Sequence, residues 1–296
     1  MMHAFPTDHF LDIPSVRSHV VDWGGPADAP AILFIHGLNL TANARVWSLA
    51  APTLAQKFRV MALDLRGHGL TPSPSDDDFS FEALCGDMQS VCDQLGLGRP
   101  IVVGHSWGGD VALQYAARQV DGAAGAVILD GGFVGINRVM TWPQAEQMAT
   151  PLRTCTRLAE VQDLAKYWLR EFYSAEVFEL IMGGFEVRAD DTVSPRLAHH
   201  NQLTIARAQW QQNPDTLYAQ VKCPALFLPC LPPEGHDPMP KQYLAWKQNR
   251  MALVQTVMTN ARIKWLEDSI HDVHLQRPEL VAACIGDFAQ EIFSTR

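Results

Sequence analysis

Short apolar runs alternate along the chain with longer stretches in which apolar residues recur at helical spacing. Six of the short runs are predicted to be buried strands, at residues 31–35, 58–63, 101–103, 126–129, 224–228 and 262–266. The stretches between them have the length and periodicity of crossover helices. This alternation predicts an α/β fold with a mostly parallel sheet and helices on both faces.

The predicted strands end in turns that carry glycine and polar residues. The first four runs are followed by HG at 36–37, DLRGHG at 64–69, GHSWGG at 104–109 and DGG at 130–132. In open α/β sheets the loops at the carboxyl ends of the strands form the ligand crevice. The candidate functional residues are therefore expected along one edge of the sheet.

The strand pattern is absent between residues 133 and 214, where the sequence has helical periodicity and contains scattered aromatic and methionine residues. We predict an inserted helical cap at 135–214 on a core formed by 1–134 and 215–296. Its aromatic residues suit an apolar substrate group, although aromatic residues at helical spacing more often form plain hydrophobic core. A final helix is predicted over 278–293, beginning with a proline at a position that tolerates its missing N–H.

The most specific motif is GHSWG at 104–108, which lies between a predicted strand and a helical stretch at 111–119. A tight turn in this setting holds a serine in a strained backbone conformation, and the flanking glycines avoid collisions with neighbouring elements. Ser106 is the predicted nucleophile. The helix that follows directs its first N–H groups at a developing oxyanion, so the backbone N–H of Trp107 is the predicted first oxyanion donor.

A serine nucleophile needs a general base, and eleven histidines are available. His271 is the best candidate because it lies in a loop after the last predicted strand and before the final helix. His274, three residues later, is expected to be a packed or capping residue. These two histidines could suggest a metal site, but no third ligand has suitable spacing, so no metal is predicted.

The second oxyanion donor is expected from the loop after the strand at 31–35, with the Leu38 N–H as the candidate. Gly37 lets the backbone approach the site, and Gly37 and His105 are predicted to contact substrate. His36 is expected to shape its loop. The polar residues of the motif at 64–69, which are Asp64, Arg66 and His68, are expected to form a structural hydrogen-bond network.

Charge and composition narrow the classes of function. The chain has 23 basic and 32 acidic residues, a formal net charge of −9, so its field repels nucleic acid and anionic membranes. Six cysteines show no paired spacing, the N-terminus lacks a secretory pattern, and no apolar run reaches the ~18 residues of a membrane span. We expect a cytoplasmic protein that acts on a small molecule without a cofactor, a nucleic-acid partner or membrane insertion.

Four motifs together resemble the α/β-hydrolase superfamily: HG at 36–37, DLRGHG at 64–69, GHSWGG at 104–109 and HDVHLQRP at 271–278. The resemblance spans nearly the whole chain. It implies an eight-stranded, mostly parallel sheet with a cap over the crevice, and a triad in the chain order serine, acid, histidine.

The triad acid has more than one candidate. The superfamily usually carries it in a short, glycine-bearing loop after the strand at 224–228, but here that loop reads PCLPPEGHDP at 229–238. Asp237 lies in this loop, and Glu234 is a weaker candidate there. Asp130 lies at the end of the strand that follows the nucleophile's helix, a position that some relatives use. We favour Asp130 slightly over Asp237.

These residues predict acyl transfer to water: the serine hydrolysis of a carboxylic ester, lactone or thioester. Haloalkane dehalogenases and epoxide hydrolases resemble the chain, but their covalent step uses a carboxylate where this chain has Ser106. Two alternatives remain open. One is hydrolysis of a carbon–carbon bond on the same fold, and the other is a small-ligand receptor or regulatory protein that retains a triad.

Overall fold

The computed structural model describes residues 6–149, 155–234 and 241–294. Within them, eight strands form one sheet and two short strands form a separate hairpin. The strands are β1 (Thr7–Asp12), β2 (Arg17–Asp22), β3 (Ala31–Ile35), β4 (Arg59–Leu63), β5 (Ile101–His105), β6 (Gly125–Leu129), β7 (Phe185–Val187), β8 (Val193–Pro195), β9 (Ala225–Leu228) and β10 (Ala261–Ile263).

The described helices lie between these strands and after the last one. They are α1 (Ala51–Leu54), α2 (Phe81–Gln94), α3 (Trp107–Arg118), α4 (Trp142–Met148), α5 (Leu158–Leu169), α6 (Ala175–Met182), α7 (His199–Gln211), α8 (Asp215–Tyr218), α9 (Lys241–Val257), α10 (Val273–Gln276) and α11 (Pro278–Ser294). None of them is both long and apolar enough to cross a lipid bilayer.

The main sheet has the order β1-β2-β4-β3-β5-β6-β9-β10. β1 and β2 are antiparallel to their neighbours, and the pairings from β4 through β10 are parallel. The predicted α/β fold with an eight-stranded, mostly parallel sheet is confirmed. Register matters for the site: His105 of β5 pairs with Leu129 of β6. The next residues, Ser106 and Asp130, therefore leave the sheet side by side.

The central strands are buried on both faces, which explains their continuous apolar runs. All five residues of β3 are buried, and so are those of β5 and β6. Side chains alternate across the sheet, so Ile32 and Phe34 join one hydrophobic cluster while Leu33 and Ile35 join another on the opposite face. Helices cover both clusters and fix the strand ends that carry the site.

The segment between β6 and β9 contains α4 to α8 and also the β7–β8 hairpin. The predicted helical cap therefore also carries a short hairpin, which the sequence analysis did not predict because strands of three residues give no pattern of their own. Helix α7 and the residue that follows it contact the core through polar side chains: the amides of Gln209 and Gln212 each donate to a carboxylate oxygen of Asp110, at 2.7 Å. The boundaries 135–214 stay a prediction.

Several element ends differ from the expectation. The sequence pattern did not predict β1 and β2, because neither strand is a continuous apolar run. The strand expected at 262–266 is shorter, although Leu266 still forms an isolated bridge to Cys230. Helix α3 begins at Trp107, four residues earlier than predicted. All six cysteines lie among the described residues, where they are buried and form no disulfide bond.

Candidate active site

Ser106 lies at the turn between β5 and α3, with a backbone φ of 55° and ψ of −122°. A non-glycine residue in this region is strained and is held there by its surroundings. The flanking glycines have no space for a side chain: a Cβ on Gly104 would lie 1.9 Å from the Gly108 oxygen, and one on Gly108 would lie 2.4 Å from the His36 oxygen. The tight strand-to-helix turn thus has the geometry expected of a nucleophile elbow.

His271 is hydrogen-bonded to Ser106, with 3.0 Å between Nε2 and the serine Oγ. Its loop lies between β10 and α10 and is held at two points. The Ile270 N–H donates to the Gln276 side chain at 2.7 Å, and the Ser269 N–H donates to the Leu231 carbonyl at 3.0 Å. His271 itself is half-exposed, so the imidazole can meet both Ser106 and a substrate.

Asp130 accepts from the other ring nitrogen, with 2.7 Å between His271 Nδ1 and Oδ2. It is buried and, like Ser106, has a positive φ, of 43°. Its second oxygen, Oδ1, accepts from the Cys230 backbone N–H and from Lys247 Nζ, each at 2.8 Å. Both carboxylate oxygens are therefore occupied, and Ser106, His271 and Asp130 form one hydrogen-bonded line.

The electrostatics match this arrangement. Burial alone would raise the pKa of Asp130, but the Lys247 charge and the His271 hydrogen bond outweigh it and lower the pKa to about 2. Partial loss of water around the half-exposed imidazole lowers the pKa of His271, while the hydrogen bond and charge of Asp130 outweigh that effect and raise the pKa above its ordinary value. Asp130 is consequently ionised at neutral pH and favours the imidazolium form of His271.

Lys247 is the residue that sequence reasoning missed. It comes from α9, its side chain is 5% exposed, and it also donates to the Cys230 carbonyl at 3.0 Å. The sequence around Lys247 mixes polar and apolar residues and gives no signal that this lysine pairs with Asp130, because the two residues are 117 positions apart in the chain. A buried lysine pairs almost always with a carboxylate, so burial of that helix face would have been the clue.

The two predicted oxyanion donors come from the residue after Ser106 and from the loop after β3. Trp107 occupies the first position of α3, where the backbone N–H has no intrahelical partner. Leu38 is extended and precedes a short 3-10 turn. A Cβ on Gly37 would lie 3.2 Å from Ser106 Cβ, so the loop approaches the serine closely. His36 donates from Nδ1 to the Gly37 carbonyl at 2.7 Å and thereby shapes this loop.

His105 and His274 lie beneath the loop that carries His271. Both are fully buried, and their rings are 4.3 Å apart. His105 donates from Nε2 to the His271 carbonyl at 2.9 Å. Burial lowers the pKa of His274 to about 3 and that of His105 well below its usual range. The structure gives His105 a contact that supports the His271 loop, while substrate contact through His105 and Gly37 stays a prediction.

Among the described residues, His105, His271 and Asp272 could bring three metal-ligand atoms within 4.8 Å of one another. This is a different set from the His271 and His274 pair weighed on the sequence. Both nitrogens of His271 are already hydrogen-bonded, to Ser106 and Asp130. A metal ion on His271 would therefore displace one of those contacts.

The other two candidates for the triad acid, Asp237 and Glu234, follow β9 in the sequence. Asp237 lies outside the described residues. Glu234 is exposed and is the last residue described before the gap at 235–240. The loop contributes the Cys230 N–H to Asp130, and of the two candidates that the structure describes, Asp130 is the one hydrogen-bonded to His271.

The residues after β4 form a network, as the sequence suggested. Asp64 accepts from His19 and from the Ala44 and Leu70 N–H groups, at 2.6 to 2.7 Å. Arg66 donates to both oxygens of Asp87 at 2.7 Å. His68 stands partly outside this network, because its Nε2 is buried with no hydrogen-bond partner among the described residues.

Comparison with known proteins agrees with this fold. The family described as alpha/beta hydrolase fold matches residues 30–180, just over half of the chain. The chain is 38% identical over 108 residues to Epoxide hydrolase 1 of Caenorhabditis elegans, covering 36% of this chain and 26% of that protein. It is 36% identical over 100 residues to the Magnesium-chelatase 30 kDa subunit of Rhodobacter capsulatus, covering 32% and 34% respectively. The matches thus span about a quarter to a third of these relatives.

Two solved structures show the likeness over nearly the whole chain. E-2-(acetamidomethylene)succinate hydrolase superposes with a TM-score of 0.77 at 19% identity, covering 96% of this chain and 98% of its own. The enol-lactonase from Burkholderia xenovorans LB400 superposes with a TM-score of 0.68 at 20% identity, covering 95% and 99%. At such identities the likeness shows the fold alone. With the sheet order, the serine elbow and the family match in agreement, the chain belongs to the α/β-hydrolase fold family.

Proposed function

We propose that this chain is a serine hydrolase that cleaves a carboxylic ester, lactone or thioester of a small, largely apolar substrate. The observation that carries the proposal is the unbroken hydrogen-bonded line from Ser106 Oγ through both nitrogens of His271 to Asp130. A serine hydroxyl is a weak nucleophile at its free pKa and needs an adjacent, oriented base. This line supplies one.

In the first half of the reaction Ser106 Oγ attacks the carbonyl carbon while His271 Nε2 takes its proton. The tetrahedral oxyanion is held by the N–H groups of Trp107 and Leu38, and His271 then gives the proton to the leaving alcohol or thiol. In the second half His271 removes a proton from water, which attacks the acyl group, and Ser106 regains its hydrogen. Asp130 stays ionised throughout and keeps the Nδ1–H of His271 in place.

The side chain at the elbow separates this reaction from epoxide or haloalkane opening through a covalent ester on the protein. That chemistry requires a carboxylate as the attacking group, and the elbow carries a hydroxyl. The similarity to Epoxide hydrolase 1 of Caenorhabditis elegans covers 36% of the chain. It therefore supports a shared fold more than a shared reaction.

The proposal is tested with Ser106→Ala on an activated ester. Loss of a triad nucleophile typically costs on the order of 10⁶ in kcat, while Ser75→Ala, an exposed serine, serves as the matched control and keeps wild-type activity. A serine-directed phosphonate should label wild type once per chain and leave Ser106→Ala unlabelled. A Ser106→Ala variant with more than a tenth of the wild-type rate contradicts the proposal. A wild-type protein that completes one slow turnover or none favours a receptor.

A further inference from the structure

Lys247 is a positive charge buried beside the candidate triad. Its side chain is 5% exposed, and its Nζ donates to Asp130 Oδ1 at 2.8 Å and to the Cys230 carbonyl oxygen at 3.0 Å. The Nζ also lies 5.3 Å from the centre of the Tyr243 ring, within the range of a cation–π contact. Replacing a buried ion pair with apolar side chains often leaves stability unchanged or improves it. The stability of the fold alone therefore does not account for an ammonium at this position.

Lys247 and Cys230 hold the oxygen of Asp130 that His271 does not use. The Cys230 N–H donates to Asp130 Oδ1 at 2.8 Å, so this oxygen accepts two hydrogen bonds, one from Cys230 and one from Lys247. The other oxygen, Oδ2, is then the one that faces His271 Nδ1, at 2.7 Å. Because Lys247 also binds the Cys230 carbonyl, Asp130, Cys230 and Lys247 form a closed ring of contacts. This ring fixes the rotation of the carboxylate.

Helix α9 is itself fixed where it carries Lys247. Arg250, three residues later, is also buried, and its Nε donates to the Phe133 carbonyl oxygen at 3.0 Å. Residues three positions apart lie on the same face of a helix, so one face of α9 contacts both Asp130 and Phe133. Trp246 adds an aromatic contact with Phe133, with 6.4 Å between the ring centres. The packing of the helix therefore determines where the ammonium lies.

Charged groups from three elements act on His271. Partial loss of water lowers its pKa, while the carboxylates of Asp130 at the end of β6 and of Asp272, the next residue in the chain, raise it above its ordinary value. Lys247 on α9 acts against the two carboxylates and limits this rise in pKa. Burial keeps the other titratable side chains around this ring uncharged near pH 7: Cys230, His105 and His274.

The charge of Lys247 affects how readily the Asp130–His271 pair loses a proton. When His271 gives up its proton next to the ionised Asp130, the pair changes from neutral to negative. A neighbouring cation stabilises the negative state, so removal of the cation makes the proton harder to lose. This holds for the coupled pair as a whole, whichever member carries the proton. Since the proposed reaction needs an unprotonated Nε2 on His271, loss of the cation should narrow the pH range of activity.

We propose that Lys247 is a positioning residue of this site, which acts through Asp130: its ammonium holds the carboxylate against His271 and leaves the imidazole unprotonated at a lower pH than the Asp130–His271 pair alone would. The inference rests on the proposed hydrolase function and adds a fourth residue to the line from Ser106 to Asp130. Its effect should appear in the pH dependence and in kcat, with little change in KM.

Two substitutions separate the charge of Lys247 from its hydrogen bond. Lys247→Gln removes the charge and keeps an N–H donor on a side chain of similar reach, and Lys247→Met removes both at similar size. The assay is hydrolysis of 4-nitrophenyl butyrate from about pH 5 to about pH 9. The pH midpoint of kcat/KM should move up by about one unit in both variants, the low end of the effect of a neighbouring charge. At the high-pH plateau, kcat should be about tenfold lower in Lys247→Met than in Lys247→Gln, because only the methionine loses a hydrogen bond to the carboxylate.

Lys57→Met is the matched control, because Lys57 is exposed and its loss changes the net charge equally; its pH profile should be that of wild type. NMR titration of the His271 ring should show the same upward displacement in Lys247→Gln and needs no turnover. A midpoint that is unchanged or lower in folded Lys247→Gln overturns the inference and leaves Lys247 a structural counter-ion.

Lys247→Gln keeps the hydrogen bond and therefore decides the question even if Lys247→Met fails to fold. Absence of Ser106-dependent turnover in wild type overturns the hydrolase function itself, which is a separate outcome. The NMR titration still tests the action of Lys247 on His271 in that case, because it measures the imidazole and not the reaction.

Discussion

Replacing Asp130 with asparagine is the sharpest test of the site. The carboxylate makes three contacts: His271 Nδ1 at 2.7 Å, and Lys247 Nζ and the Cys230 N–H at 2.8 Å each. An asparagine of the same shape has one acceptor oxygen and one NH₂ group. With its oxygen drawn to Lys247, the NH₂ faces His271 and selects the tautomer whose hydrogen is on Nε2, which cannot accept the Ser106 proton.

The expected effect on activity is large because the nucleophile loses its base while the geometry persists. Loss of the orienting acid in a serine triad costs roughly 10⁴ in kcat. A second effect falls on stability. Asp130 and Lys247 are 3% and 5% exposed, and removing one member of a buried pair costs about 3–5 kcal/mol in the free energy of unfolding. Lost activity alone would therefore not separate a catalytic role from poor folding.

Two further variants separate them. The double variant Asp130→Asn, Lys247→Met leaves no unpaired charge in the core. Its free energy of unfolding, measured by urea denaturation, should therefore recover towards wild type, while its kcat stays near that of the Asp130→Asn single variant. Asp237→Asn is the comparison for the alternative acid and should stay within about threefold of wild type. If Asp237→Asn is crippled while folded Asp130→Asn keeps more than a tenth of the wild-type kcat, the triad acid lies in the loop after β9 and the reasoning is refuted.

Three other outcomes are expected. Hydrolytic activity should survive exhaustive chelation with EDTA, since backbone N–H groups stabilise the oxyanion. If EDTA abolishes the activity and added zinc restores it, this prediction is wrong. Although loss of water around the ring lowers the His271 pKa, Asp130 raises it above 6.5, so kcat/KM should rise with pH through an apparent pKa above 6.5. Asp130→Asn should move this rise in kcat/KM to lower pH. If the rise does not move, a group other than His271 is responsible for it. Burial raises the pKa of Asp110 from 3.8 to about 7, although the hydrogen bonds from the Gln209 and Gln212 amides act to lower it. Between pH 3.8 and 7 the native state therefore binds more protons than the unfolded chain. The free energy of unfolding should therefore fall as pH rises from 3.8 through 7, and Asp110→Asn should flatten the fall; an equal slope in both proteins would show that Asp110 is not its source.

The contact between Asp110 and α7 also changes how the cap is best tested. Replacing 136–212 with a short linker removes Gln209 and Gln212 and would leave the buried Asp110 carboxylate without donors. In an Asp110→Asn background the same replacement should alter ester chain-length preference more than it alters the thermal midpoint. An unchanged preference in a folded protein would mean that the segment does not select substrate.

Much of the fold could be predicted from the sequence because the central strands are local patterns. Continuous apolar runs such as 31–35 and 126–129 mark strands buried on both faces, and they recur in the structure as β3 and most of β6. The elbow at 104–108 was equally readable, since its glycines are required by close backbone approach. Strands that lack such runs, such as β1 with its largely exposed pattern, had no comparable signal.

The sequence by itself determined that Ser106 lies at a strand-to-helix turn and that His271 lies in a loop at the same edge of the sheet. It left the acid open between Asp130 and Asp237 and gave no indication of Lys247. Only the tertiary structure brought Asp130, His271 and Lys247 together, across 141 and 117 residues of chain. The physical reason is that a carboxylate can act as the triad acid only where it lies next to the imidazole and a positive charge. That position follows from strand register and helix packing, which no local pattern of residues encodes.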